Sequence, residues 1–74
     1  MNRKKINEAI GDEIRFARLR KRITQEQLAQ KTGFGRSTIA KYESGQIEMS
    51  MPVFIELCDA IGVNYIEVMK GIEI

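Results

Sequence analysis

The chain has 74 residues, of which 43% are hydrophobic and 30% charged, and its formal net charge is +2. This length supports one domain over residues 1–74, and no apolar run approaches the roughly 20 residues needed to span a bilayer. A single cysteine and the lack of histidine exclude an intramolecular disulfide and the usual zinc sites.

The first two predicted helices are indicated by apolar spacing and by capping residues. Isoleucine and alanine recur three or four residues apart over 6–17, and the basic run 20–22 complements the dipole where that helix ends. Thr24 is a candidate N-cap of the second helix, with Gln27 at capping-box spacing. Gly33 ends this helix as a left-handed residue.

Three further helices follow. The third runs over about 36–43 and is closed by Gly45, and Ser50 can cap a fourth, where Pro52 is tolerated in the first turn. The fifth spans 64–70. Because apolar and polar residues nowhere alternate for long, we expect an all-α, compact five-helix bundle. The inner stripe of the fourth helix is Val53, Phe54, Leu57, Cys58 and Ile61.

Charge is distributed unevenly along the chain. Residues 1–41 carry eleven Lys or Arg and four Asp or Glu, a net charge of +7. Residues 42–74 carry Lys70 and six acidic residues, a net charge of −5. This asymmetry indicates an anionic partner on one side of the molecule, but basic residues that solvate helix faces explain it equally well.

The segment 25–44 has the residues that two steeply packed helices need. A small residue, Ala29, lies where the helices cross, and Gly33 can take the positive φ of the turn. Phe34, Ile39 and Tyr42 supply apolar side chains to the core. This is the helix-turn-helix pattern, in which the second helix can lie in the major groove of DNA.

Over about residues 8–70 the chain resembles the phage Cro and repressor type of helix-turn-helix domain. The resemblance implies a lambda repressor-like DNA-binding domain that is not an enzyme and that binds specific double-stranded DNA as a homodimer. It rests on the motifs Ile10-Gly11, Ile14-Arg15, Ala17-Arg18, Ile23-Thr24-Gln25-Glu26-Gln27-Leu28-Ala29, Gly33, Ser37-Thr38-Ile39, Tyr42-Glu43, Gly45, Leu57 and Ala60-Ile61-Gly62-Val63.

The resemblance also implies which residues contact DNA. An Arg fork can read guanine, hydroxyls can donate or accept, and the Thr methyl can contact thymine. The N-terminus of the second helix favours phosphate. An ordinary solvated helix face is the alternative for the base-contacting set. The implied base contacts are Arg36, Ser37, Thr38 and Lys41, and the implied backbone contacts are Thr24, Gln25, Ser44 and Gln46.

In such domains a partly buried ion pair, here Arg18 with Glu43, joins the first helix to the end of the third. This chain departs from the pattern at Gly35, a weaker cap than Ser or Thr, and in the loop 47–51, which lacks basic residues. Residues 3–5 form either an arm that reaches DNA or a basic start to the first helix. We expect Arg15, Arg20, Lys21 and Arg22 to form a solvated face that adds long-range attraction.

The C-terminal part contains more apolar side chains than five short helices can bury. Two alternatives are open: a dimer interface, or a tail that covers the domain's own core. A dimer would place two recognition helices about 34 Å apart and would require a palindromic operator. The predicted interface residues are Val63, Tyr65, Ile66, Ile72 and Ile74.

The predicted function is therefore that of a cytoplasmic, dimeric transcriptional repressor, either a phage-type repressor or a restriction-modification controller. The alternative is an antitoxin or protein-binding module that neutralises a partner protein and regulates its own synthesis. No residue pattern indicates a metal, cofactor or small-molecule ligand. Cys58 is expected to be a buried, inert thiol.

Overall fold

The computed structural model describes residues 2–73, which contain five α-helices. Their order and type agree with the sequence prediction. The first helix is longer than its apolar pattern, because it begins three residues before Ile6. The helices are α1 (Arg3–Arg20), α2 (Gln25–Thr32), α3 (Arg36–Ser44), α4 (Met51–Ile61) and α5 (Tyr65–Lys70).

Local capping explains where most of these helices begin. Thr24 and Gln27 form the predicted capping box: the Thr24 hydroxyl oxygen accepts from the Gln27 amide at 3.0 Å, and the Gln27 side chain accepts from the Thr24 amide at 2.8 Å. The side chains of Ser50 and Asn64 cap α4 and α5 by accepting hydrogen bonds from backbone amides of the first turn. Gly35 gives α3 no side-chain cap, as its lack of a side chain requires.

The basic N-terminus is part of α1. The Asn2 side chain accepts a hydrogen bond from the Lys5 amide at 2.8 Å, which caps the helix at residue 3. Residues 3–5 therefore form the basic start of the first helix, which is one of the two alternatives that the sequence leaves open. The helix ends within the basic run 20–22: Arg20 is its last residue, and Arg22 adopts a positive φ of 57° in the turn to α2.

The core is formed where α1, α2, α3 and α4 meet. The side chains of Ile14, Leu28, Ile39 and Leu57 are at most 1% exposed, one from each of these helices. Burial of aliphatic side chains from four helices in one cluster is the main source of stability in a domain without a disulfide. Val68 brings α5 onto the same cluster.

Cys58 is buried in this core, as predicted, and burial raises the pKa of its thiol from 9.0 to about 11. Because the unfolded chain ionises this thiol first, its contribution to stability is complete below pH 9 and is lost as the pH rises towards 11. We expect the free energy of unfolding to fall by about 2–3 kcal/mol over that range relative to a Cys58→Ala variant, measured by urea titration. An identical pH dependence in the two proteins would show that the thiol is not desolvated.

Candidate nucleic-acid interface

The turn between α2 and α3 has the helix-turn-helix geometry. Gly33 adopts a φ of +84°, and its amide donates to the Ala29 carbonyl oxygen at 2.8 Å. The Thr32 hydroxyl donates to the Leu28 carbonyl oxygen at 2.9 Å. Phe34 then packs edge-on against Tyr42, with 5.7 Å between ring centroids. A local turn and an aromatic contact thus fix the direction in which α3 leaves α2.

The outward face of α3 carries most of the predicted base-contacting residues. Arg36, Ser37 and Lys41 are exposed, and Ser37 and Lys41 lie four residues apart on one side of the helix. Thr38 is half-buried, so less of its side chain is available. A short helix that presents an arginine, a hydroxyl and a lysine to solvent has the donors that read base edges in a major groove.

The ion pair between Arg18 and Glu43 is a buried, two-pronged contact. Arg18 Nε donates to Glu43 Oε2 at 2.6 Å, and Arg18 Nη2 donates to Glu43 Oε1 at 3.0 Å. The two side chains are 8% and 3% exposed. Arg18 Nη1 also donates to the Ile23 carbonyl oxygen at 2.8 Å. One arginine of α1 therefore holds both the end of α3 and the segment that leads into α2.

The Gln25 side chain belongs to the same network. Its Nε2 donates to Glu43 Oε1 at 3.1 Å, so the first residue of α2 is tied to the end of α3. The sequence predicts a DNA-backbone contact for Gln25 and gives no sign of this link, which joins residues 18 positions apart. Its backbone N–H lies in the first turn of α2, where amides have no partner within the helix.

The remaining predicted backbone contacts are exposed. Thr24 uses its hydroxyl oxygen as a cap, and Ser44 donates its hydroxyl to the Lys41 carbonyl oxygen at 3.2 Å. Gln46 is exposed just after α3, and its amide donates to the Lys41 carbonyl oxygen at 3.0 Å. Thr24 thus lies at the start of α2, while Ser44 and Gln46 lie at the C-terminal end of α3.

Two glycines set the close approach of α1 to α3. A Cβ on Gly11 would lie 2.8 Å from the Glu43 carbonyl carbon and closer still to the carbonyl oxygens of Tyr42 and Glu43. A Cβ on Gly45 would lie 2.8 Å from Glu8 Cα. The sequence shows both glycines, but only the folded chain shows that Gly11 faces the backbone of α3.

The predicted interface residues have different environments. Val63, Tyr65 and Ile72 are half-buried against the core, whereas Ile66 is 49% exposed. Ile74 lies outside the described residues. Sequence reasoning did not include three further apolar side chains that are exposed on α4 and α5, namely Met51, Ile55 and Met69.

The described side chains include no group of three or more Cys, Asp or Glu that could hold a metal ion. None of the described helices is both long enough and apolar enough to cross a membrane.

Comparison with known proteins places this geometry in a family. Residues 14–68 match the protein family described as "Helix-turn-helix". Over 56 residues, 73% of both chains, the sequence is 34% identical to a protein of Sinorhizobium fredii described as the uncharacterized HTH-type transcriptional regulator y4dJ.

Two solved structures share the fold. The clp gene regulator ClgR from Corynebacterium glutamicum aligns with a TM-score of 0.86 and 26% identity, covering 89% of this chain and 86% of that one. The restriction-modification controller protein C.AhdI from Aeromonas hydrophila aligns with a TM-score of 0.76 and 30% identity, covering 82% and 92%. The lambda repressor-like, all-α fold predicted from the sequence is confirmed. The chain belongs to the helix-turn-helix family of DNA-binding transcriptional regulators and not to a class of enzymes.

Proposed function

We propose that the protein represses transcription by binding a specific palindromic operator in double-stranded DNA as a homodimer. The observation that supports this most directly is the outward face of α3, where Arg36, Ser37 and Lys41 are exposed on a helix held by a buried ion pair. A rigid helix with free donors fits direct readout in the major groove. Thr38 completes the proposed base-contacting set. The setting that suits this role is the cytoplasm.

The hydrogen bond from Gln25 to Glu43 brings together the two groups of backbone contacts proposed for this complex. Thr24 and the amide of Gln25 lie at the start of α2, and Ser44 and Gln46 lie at the end of α3. Hydroxyl, amide and backbone N–H donors bind phosphate oxygens and fix the register of a protein on DNA without reading sequence.

A second copy of the chain is the proposed partner at α4 and α5. Met51 and Ile55 border an open apolar groove of about 880 Å³ that Val63 and Tyr65 also line. Ile66 continues the apolar surface on α5. Five short helices leave these side chains uncovered, and a two-fold contact would cover them in both subunits. The proposed interface also includes Ile72 and Ile74.

The structural match to C.AhdI favours a restriction-modification controller, and a phage-type repressor has the same architecture. The second candidate, an antitoxin or protein-binding module, would use the same apolar surface for a different protein. Binding of the purified chain to DNA in the absence of any partner would exclude a module that acts only on proteins. An antitoxin that regulates its own synthesis would also bind DNA, and it would be distinguished by a different protein bound at the apolar surface of α4 and α5.

Replacing Arg36 with alanine is expected to weaken operator binding by about 1–3 kcal/mol and to relax base preference at one position of each half-site. Arg36→Lys is the matched control, since lysine keeps the charge but lacks the planar fork. We expect the lysine variant to lose base preference and to keep most non-specific affinity in a fluorescence-anisotropy titration. Unchanged preference in both variants would remove Arg36 from the base contacts.

Replacing Ile55 with aspartate is expected to convert a dimer into a monomer, since a charge cannot be buried without a partner. Sedimentation equilibrium gives the mass directly. Leu19→Asp is the control: Leu19 is 54% exposed on α1, outside the proposed interface, and its change should leave the dimer intact. A dimer in both variants would place the interface elsewhere.

A further inference from the structure

A polar depression on the flank of the recognition helix brings α1 next to the proposed DNA surface. Its volume is about 340 Å³. Two of its residues, Gln25 and Ser44, are among the proposed backbone contacts on α2 and α3. The depression is lined by Asp12, Arg15, Gln25, Ala40, Glu43 and Ser44.

Arg15 is the basic side chain of this depression, and most N–H donors of its guanidinium are available to a further acceptor. Its side chain is 47% exposed, and its only ion pair within residues 2–73 is a loose one, with 3.7 Å between Arg15 Nη2 and Asp12 Oδ1. The guanidinium carbon lies over the face of the Phe16 ring, 5.4 Å from its centre, which is the geometry of a cation–π contact. A guanidinium has five N–H donors, so Arg15 can take a further acceptor.

Glu43, the second carboxylate that lines the depression, repels an anion only weakly. Both oxygens of Glu43 accept from Arg18, and Oε1 also accepts from Gln25. Its charge is thus matched by a buried guanidinium. Asp12 is exposed, and it is the one acid in the depression without such compensation.

We propose that Arg15 binds a phosphate of the DNA strand that borders α3, making α1 a third DNA-contacting helix. This inference rests on the proposed function, because it requires α3 to lie in a groove. The depression is lined by Ala40 and Ser44 of α3. When a helix lies in a DNA groove, the sugar-phosphate backbone forms the walls of that groove, so a phosphate would lie next to the depression. The guanidinium fork matches the two oxygens of a phosphate, and Asp12 competes with that phosphate for Arg15.

The role differs from the sequence expectation, in which Arg15 belongs to a solvated face together with 20–22. Arg15 and Arg20 lie on the same helix and are both exposed, but only Arg15 lines the depression next to α3. A comparison of variants at these two arginines can therefore distinguish a specific phosphate contact from the general attraction of a basic helix.

The experiment compares Arg15→Gln with Arg20→Gln, each of which removes one positive charge from α1. Affinity for a duplex carrying the palindrome enriched from a random DNA pool is measured at several salt concentrations. We expect Arg15→Gln to weaken binding about tenfold and to reduce the salt slope by about one per bound protomer. Arg20→Gln should change affinity less than twofold, as expected for screened long-range attraction.

The Asp12→Asn variant is expected to bind DNA more tightly, a change that a folding defect cannot produce. It frees Arg15 and removes a negative charge from the depression, so affinity should rise by a few-fold and the salt slope should steepen. Thermal unfolding of each variant controls for stability.

The outcomes are distinguishable from those of the proposed function. If the wild-type chain enriches no sequence, the proposed function and this inference both fail. If the wild type binds its palindrome but Arg15→Gln and Arg20→Gln weaken binding equally, only the phosphate contact is overturned. Weaker binding by Asp12→Asn would also overturn it.

Discussion

Replacing Glu43 with alanine is expected to lower the free energy of unfolding by about 3–5 kcal/mol. The reason is that Arg18, whose side chain is 8% exposed in the native structure, would lose the two hydrogen bonds that compensate its buried charge. A domain of this size has a total stability of roughly 4–11 kcal/mol, so the variant should be partly unfolded at ordinary temperatures. Urea denaturation followed by circular dichroism measures the change.

Two further variants identify the cause. Glu67→Ala is the matched control, because Glu67 is paired with Lys70 at 3.3 Å on the exposed side of α5, where such a pair contributes about 0–1 kcal/mol. In the double variant Arg18→Met/Glu43→Leu no charge is left buried, so it should be more stable than Glu43→Ala alone. A double variant less stable than the single one would mean that the ion pair itself, rather than the uncompensated charge, accounts for the loss.

The second large effect is expected at Gly11. A Cβ there would collide with backbone atoms of Tyr42 and Glu43, which cannot move aside as the end of a flexible side chain can. Gly11→Ala should therefore destabilise the domain by about 3 kcal/mol or more, the upper end of overpacking effects. Because the displaced element is the end of α3, operator affinity should fall as well, beyond what the unfolded fraction explains.

Gly35→Ala is the control for this substitution. A Cβ on Gly35 would meet only Thr38 Oγ1, at 3.8 Å, and the φ of −70° suits any residue. That variant should lie within about 1 kcal/mol of the wild type, since alanine restricts the unfolded chain but caps a helix less well than glycine. Thermal unfolding of Gly11→Ala and Gly35→Ala measures the difference. Equal stabilities of these two variants would show that α1 and α3 can separate at little cost.

The sequence predicts those parts of the fold that depend on neighbours along the chain. The capping box of Thr24 and Gln27 and the cap of Ser50 join residues three apart, and Gly33 ends α2 by its own backbone freedom. Such signals are local, so they are visible before the fold is known. The resemblance to a known family supplied the Arg18–Glu43 pair, whose members are 25 residues apart.

Contacts that depend on the packing of helices were not predictable in this way. Three features each require two helices to pack together: the link from Gln25 to Glu43, the approach of Gly11 to the α3 backbone, and the depression that Arg15 and Ser44 both line. Residue type alone does not distinguish Arg15 from Arg20. The half-buried state of Thr38 is likewise set by its neighbours in space.

The central claim is that the chain reads a specific operator as a dimer, and selection from a random-sequence pool of duplex DNA at moderate salt tests it most directly. The account predicts enrichment of a palindrome whose half-sites are about one helical turn, roughly 34 Å, apart. Uniform binding that disappears as salt is raised, or no enrichment, would contradict it. In that case the apolar surface of α4 and α5 would be explained by a protein partner instead.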